Sequence, residues 1–206
     1  MDEKLTQWEQ ANFTFTRDWF LRSVNTLVTG EAKFSYLHDV SAEDIYGGFK
    51  KAFAHIDTCL NIISGRLGLD HDRVFFGRYA IPVLVRFLEE QKGNLDVAQR
   101  DKMLFWYVQA GMWGRFSSST ESKIDEDLEV LKGSNYDINA LIKALLLSRG
   151  SLSVRAEHFD SWSRGARFYP GLYMLTRMRE ARDWGNGLPL KANLLGKMSS
   201  LEVHHI

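Results

Sequence analysis

Residues 41–68, SAEDIYGGFKKAFAHIDTCLNIISGRLG, decide the fold. Ile45, Phe49, Phe53, Ile56, Leu60, Ile63 and Leu67 recur at steps of four or three, which predicts one long helix with a continuous apolar face. Ser41 followed by Asp44 resembles a capping box with Asp in place of the usual Glu. Gly68 suits the helix end. Gly47 and Gly48 weaken the first turns. A face of this length demands a packing partner, and the flanking sequence offers several more helices.

Upstream, Asn12 to Thr16 alternates polar and apolar residues and reads as extended. Thr16 caps a helix running to about Thr29, with Phe20, Val24, Leu27 and Val28 on one face and Gly30 at its end. Residues 31–40 show no period and read as a loop. Downstream, residues 71–92 are helical in their second half, with Pro82 at a helix start or a kink. Gly93 and Asn94 break the pattern. Asp96 and Gln99 open a helix to about Trp113. Ser117 to Thr120 is a turn, and Ile124, Leu128 and Leu131 mark a short helix closed by Gly133. Asp137 caps the next, carried by Ile138, Leu141, Ile142, Leu145 and Leu146. Further helices are expected from Val154 to Trp162 and, with Pro170 in the first turn, up to about Trp184. Gly185-Asn186-Gly187 is a turn. The expectation is an all-α bundle of about seven or eight helices over residues 1–187, with an irregular or extended tail over 188–206.

Composition agrees. The chain has 206 residues, 45% hydrophobic and 25% charged, with six Trp, thirteen Phe and three Pro. That is ordinary globular material with few breakers, and it excludes a disordered or collagen-like chain. Lys+Arg and Asp+Glu number 26 each, so a strongly basic, non-specific nucleic-acid binder is excluded, though a local basic face is not. A lone cysteine, Cys59, permits no internal disulfide and reads as a buried thiol in a reducing compartment. The N-terminus lacks a signal-peptide run, and no apolar stretch approaches the roughly 18 residues of a membrane span. The expected location is cytoplasmic.

Three segments carry a resemblance. They are WEQANFTFTRDWFLRSVNTLVTGEAKF at 8–34, FWYVQAGMWGRFSSSTESKIDEDLEVL at 105–131, and GKMSSLEVHHI at 196–206. In this order and spacing they resemble the middle and rear of GmrSD-like, modification-dependent restriction endonucleases of the type IV kind, enzymes of phage defence. The resemblance spans essentially the whole chain. It implies a nucleotide-hydrolysing domain with a DGQQR-like motif in front, and no such motif stands in this sequence. It also implies an HNH-type nuclease domain behind, opening with a segment similar to HHIFP, of which residues 188–206 are the truncated start. By the resemblance His204 is a metal ligand and His205 the general base that activates water. The later Asn and His or Asn of that motif are absent from these residues, so the chain alone is expected to lack catalysis. It holds no cofactor of its own; a divalent metal such as magnesium and a nucleoside triphosphate are implied for the full-length parent. DNA is the implied partner, together with the missing nucleotide-binding and nuclease domains, and a homo-oligomer is a further expected state.

Two basic stretches are candidate DNA or phosphate contacts. Arg115 with Ser117, Ser118 and Ser119 precedes a helix start, where hydroxyls, backbone N–H groups and a guanidinium can hold a phosphate. The same residues equally suit a capping turn. Arg155, Arg164, Arg167, Arg177, Arg179 and Arg182 form the densest basic run, interleaved with Trp162, Phe168, Tyr169 and Tyr173. Arg164 and Arg167 head that group, and a solvated helix face with core aromatics is the alternative. His38, His55, His71 and His158 show no ligand spacing. Asp70, His71, Asp72 and Arg73 read as a cap and loop, with a metal reading left open. A free-standing helical interaction or assembly module is the competing function.

Overall fold

The computed structural model describes residues 1–159, 167–182, 184–185 and 187–189. Three N-caps set the frame. The Thr16 hydroxyl accepts from Trp19 N at 3.2 Å. Ser41 accepts from Asp44 N at 3.1 Å and donates back to the Asp44 carboxylate at 2.6 Å. Asp is one methylene shorter than Glu, and here it binds the cap hydroxyl. Asp96 and Gln99 make the full reciprocal box.

From these starts the chain forms an all-α helical bundle. The helices are α1 (Asp2–Gln10), α2 (Arg17–Val28), α3 (Ala42–Leu67), α4 (Ala80–Glu90), α5 (Val97–Met112), α6 (Thr120–Gly133), α7 (Ile138–Arg149) and α8 (Tyr169–Met178). Short 3-10 turns lie at Phe34–Asp39, Asp72–Val74 and Ala156–Phe159. No strand occurs among the described residues; Arg182 and Pro189 make one isolated bridge. No described helix is long and apolar enough to cross a membrane.

Helix α4 is the centre, packed against α2, α3, α5 and α6. Helix α7 covers α5 and α6, and α8 lies against α3 and the Asp72–Val74 turn. The α3 stripe faces inward as expected: Ile56, Leu60, Ile63 and Leu67 are buried, with Phe49 and Phe53 packed beside them.

Helix α1 is not foreshadowed by any apolar stripe. Trp8 is its buried residue. The indole sits among Phe15, Trp19, Phe20 and Phe53 and donates to Asp57 at 2.7 Å, while Lys4 pairs with the same carboxylate at 2.6 Å.

Two expectations in the last quarter are corrected. Residues 154–159 hold a 3-10 turn at Ala156–Phe159 in place of the start of a helix, and 160–162 lie outside the described residues. Helix α8 stops at Met178, short of Trp184. Its end is a Schellman turn: Ala181 N reaches Thr176 O at 2.9 Å and Glu180 N reaches Arg177 O at 3.2 Å. Glu180 takes the left-handed position at φ 51, so no glycine announces the stop. The expected extended tail lies outside the described residues, as does the boundary's far side from residue 190 on.

The adjacent glycines of α3 differ in purpose. A Cβ on Gly48 would stand 2.6 Å from Val28 Cγ2, whereas one on Gly47 would meet nothing within 4 Å. Gly48 is thus the contact that lets α2 and α3 approach. Gly47→Ala is expected to raise the unfolding free energy by about 0.5–1 kcal/mol, and Gly48→Ala to lower it by about 1–3 kcal/mol, both read by urea denaturation.

Candidate functional site

The corner between α5 and α6 collects the first basic candidates. Gly114, at φ 63, ends α5 and turns the chain so that Arg115 faces α6. The Arg115 fork donates to both Asp127 oxygens, at 3.2 and 2.9 Å, and to Glu126 at 3.0 Å. Asp127 is only 1% exposed. Burial pushes its carboxyl up to about 6, with Arg115 pulling the other way. Burial also works against the Arg115 charge, but hydrogen bonds and charges from Asp127 and Glu126 outweigh it and raise its pKa. The guanidinium is therefore an internal clamp between two helices, and its donors point inward.

The serines around it are exposed. Ser117 donates to Gly114 O at 2.8 Å, and Thr120 donates to Phe116 O at 3.0 Å. Ser119 is left-handed, at φ 49 and ψ 46, and its side chain makes no cap bond. Arg167 reaches this corner from a distant part of the chain, with Nη2 at 3.5 Å from Ser117 Oγ. Its guanidinium lies on Gly114, where a Cβ would come within 2.4 Å. Arg167 is exposed and has no carboxylate partner among the described residues. Of the candidate contacts, Arg115, Ser117 and Arg167 are thus brought together. Ser118 and Ser119 border them on the surface turn, and Arg164 lies outside the described residues.

An aromatic cluster adjoins Arg167. Trp113 meets the His158 and Phe168 rings edge-on at 5.0 and 5.3 Å, and His158 stacks on Phe168 at 5.3 Å. Arg149 lies 4.9 Å over the Trp113 ring. Arg149 and Trp113 did not stand out in the sequence. Arg149 closes α7 and Trp113 is the cap residue after α5, and nothing in the local pattern links them.

The rest of the basic run separates. Arg177 pairs with Asp70 at 3.0 Å, and Tyr173 OH donates to the other Asp70 oxygen at 2.9 Å. Arg177 also packs on Gly68, where a Cβ would meet its Cβ at 2.5 Å. This clamp fastens the end of α8 to the end of α3. Arg155 lies 3.7 Å from Glu157, both exposed. Arg167 and Arg177 thus mark opposite ends of α8.

Other groups are accounted for. Burial pushes the Cys59 thiol up, keeping it protonated. His55 meets Glu89 at 2.8 Å, beside Lys51. Burial lowers the His71 pKa, and its ring packs edge-on to Tyr173. Asp72 accepts from Thr14 N, so the 70–73 loop is occupied by structural bonds. No group of three His, Cys, Asp or Glu among the described residues is placed to hold a metal. His204 and His205 lie outside them. A groove of about 680 Å³ between α5 and α8 is lined by Leu104, Phe105, Val108, Met112, Met174 and Met178.

No family model, no curated protein and no solved structure matches the chain.

Removing Arg115 strands the buried Asp127 carboxylate. Arg115→Met is expected to lower stability by about 3 kcal/mol, while Arg115→Met combined with Asp127→Leu returns to within about 1 kcal/mol of the parent in urea unfolding.

Proposed function

We propose that this chain is the helical, DNA-contacting part of a modification-dependent restriction endonuclease of the GmrSD-like kind. The observation that carries the reading is the order of three segments, 8–34, 105–131 and 196–206, along 206 residues. The first contains Trp8 and Thr16, which anchor α1 and cap α2. The second runs through the Gly114 turn to the Arg115–Asp127 clamp. The first two segments thus fall on residues that build the bundle, while 196–206 lies outside the described residues.

The chemistry of the reading is metal-dependent hydrolysis of DNA phosphodiesters. In it His204 is a ligand and His205 the base of an HNH domain whose later residues are not among these 206. A nucleotide-hydrolysing domain drives the assembly, and the helical part couples the two and contacts DNA. Support for the contact comes from Arg167, an exposed guanidinium without a carboxylate partner among the described residues, next to the aromatic cluster of Trp113, His158 and Phe168. Guanidinium groups beside aromatic faces suit a phosphate backbone with neighbouring bases.

The open apolar groove between α5 and α8 favours a second reading, a helical module that docks onto a partner protein. Salt separates the two: DNA binding weakens steeply as salt rises, and apolar docking does not.

Arg164→Glu with Arg167→Glu is expected to weaken duplex DNA binding by about tenfold or more at low salt in a gel-shift titration. Unchanged affinity removes this face as the contact. The 206-residue chain is expected to leave plasmid DNA intact with magnesium or manganese, and nicking that disappears with His205→Ala overturns that expectation.

A further inference from the structure

The last turns of α3 and α8 enclose a cavity of about 420 Å³. Arg66, Arg177 and Arg182 line it, together with Ser64, Thr176 and Glu180. The three guanidinium groups come from three separate parts of the chain: the end of α3, the end of α8, and the segment after α8. Arg182 is held in place by the bridge to Pro189 and by its own bond to Gly187 O at 3.0 Å. Arg177 is held by Asp70. Arg66 is exposed and makes no ion pair among the described residues.

Complementing the negative ends of α3 and α8 is the plain structural use for cations here. That use covers Arg66, in the last turn of α3, as well as Arg177; it leaves Arg182, which lies beyond α8. The carbonyl that Arg182 binds belongs to Gly187, beyond α8, and Arg66 binds no carbonyl among the described residues. One lining carboxylate, Glu180, stands against three arginines, and Asp70 behind them offsets part of the Arg177 charge. Among the described residues the lining therefore carries more guanidinium than carboxylate groups.

We propose that this cavity binds a phosphate group, gripped by Arg66 and Arg182 with Arg177 as the fixed cation at the back. The planar forks of arginine match phosphate oxygens two at a time. The phosphate is supplied either by a nucleic-acid backbone or by a free phosphate compound. The site lies at the opposite end of α8 from Arg167 and does not depend on the endonuclease reading.

The test uses the whole chain and the double variant Arg66→Glu, Arg182→Glu. Both side chains are exposed, so the fold is expected to survive, and circular dichroism checks this. Lys143→Glu, on the exposed side of α7, makes one charge change elsewhere. Inorganic pyrophosphate is titrated by calorimetry and a fluorescein-labelled duplex by anisotropy, both at about 50 mM salt. The double variant is expected to lose about tenfold or more in affinity for at least one probe, with Lys143→Glu within about twofold of the parent. Loss for pyrophosphate alone assigns the site to a free phosphate compound. Loss for the duplex alone assigns it to a backbone. Parent-like affinity for both probes, or no binding of either by the parent, overturns the proposal. Arg167→Glu reports on the other end of α8, so the two readings fail independently.

Discussion

Helix α4 has no solvent face over most of its length, and the rest of the bundle is arranged around that fact. Ile81, Val83, Leu84, Val85, Phe87 and Leu88 are each 0% exposed. A helix that is apolar all round must be enclosed on every side. Enclosure contributes roughly 1.5–3 kcal/mol for each large side chain removed from water, and four helices supply it. The polar groups of α4 are met in turn. Thr26 donates to Pro82 O at 3.2 Å, where the start of α4 meets α2. Arg86, the cation of this helix, reaches outward, donating to Leu27 O at 2.8 Å and to Tyr136 OH at 3.1 Å, and pairs with Glu90 at 2.6 Å. One side chain thereby satisfies a carbonyl near the end of α2 and ties the turn after α6 to the centre.

Enclosure on four sides requires close approach, and small residues provide it where the backbone comes nearest. At Gly111 of α5 a Cβ would fall 2.5 Å from the Phe76 carbonyl oxygen. Phe76 N donates to the buried Tyr107 hydroxyl at 3.1 Å one turn earlier on the same helix. The segment leading into α4 is therefore held against α5 by a bond and by a missing side chain together. That register sets where α5 ends, and so where Gly114 turns the chain and where Arg115 enters its pair with Asp127.

The elements legible in sequence are those whose signals are local. The α3 stripe, the Thr16 and Ser41 caps and the Asp96–Gln99 box are each written within a single helix or its first turn, and each appears at the expected place. Helix α1 escaped because it is anchored by one buried residue, Trp8, whose partners lie on α2, on α3 and at Phe15 in the link between α1 and α2. The end of α8 escaped because Glu180 occupies a position where glycine is the usual marker. The sites show the same division. Arg115 stands out beside its serines, but its pairing with Asp127 depends on how α6 folds back. Arg167 and Ser117 are separated by 50 residues, and Arg66 is far in sequence from Arg177 and Arg182, so only tertiary packing brings them together.

The balanced formal charge conceals how unevenly the charges are used. Helix α6 carries a cluster of acids, and four of its carboxylates are bound within the fold. Glu121 pairs with Arg22 at 2.7 Å, Asp125 accepts from Ala32 N, Glu126 pairs with Lys123 at 2.7 Å, and Asp127 holds Arg115 at 2.9 Å. Each carboxylate so held is withdrawn from neutralising a distant guanidinium, because pairing at these distances dominates over charges a Debye length away, about 8–10 Å in ordinary salt. Arg66, Arg167 and Arg182 have no such carboxylate against them among the described residues. A net charge of zero is thus compatible with arginines at both ends of α8 that have no carboxylate ion pair among the described residues. Arg66, Arg167 and Arg182 are left outside the ion pairs of the described residues, while Arg115 and Arg177, of the same residue type, serve to hold the helices in place.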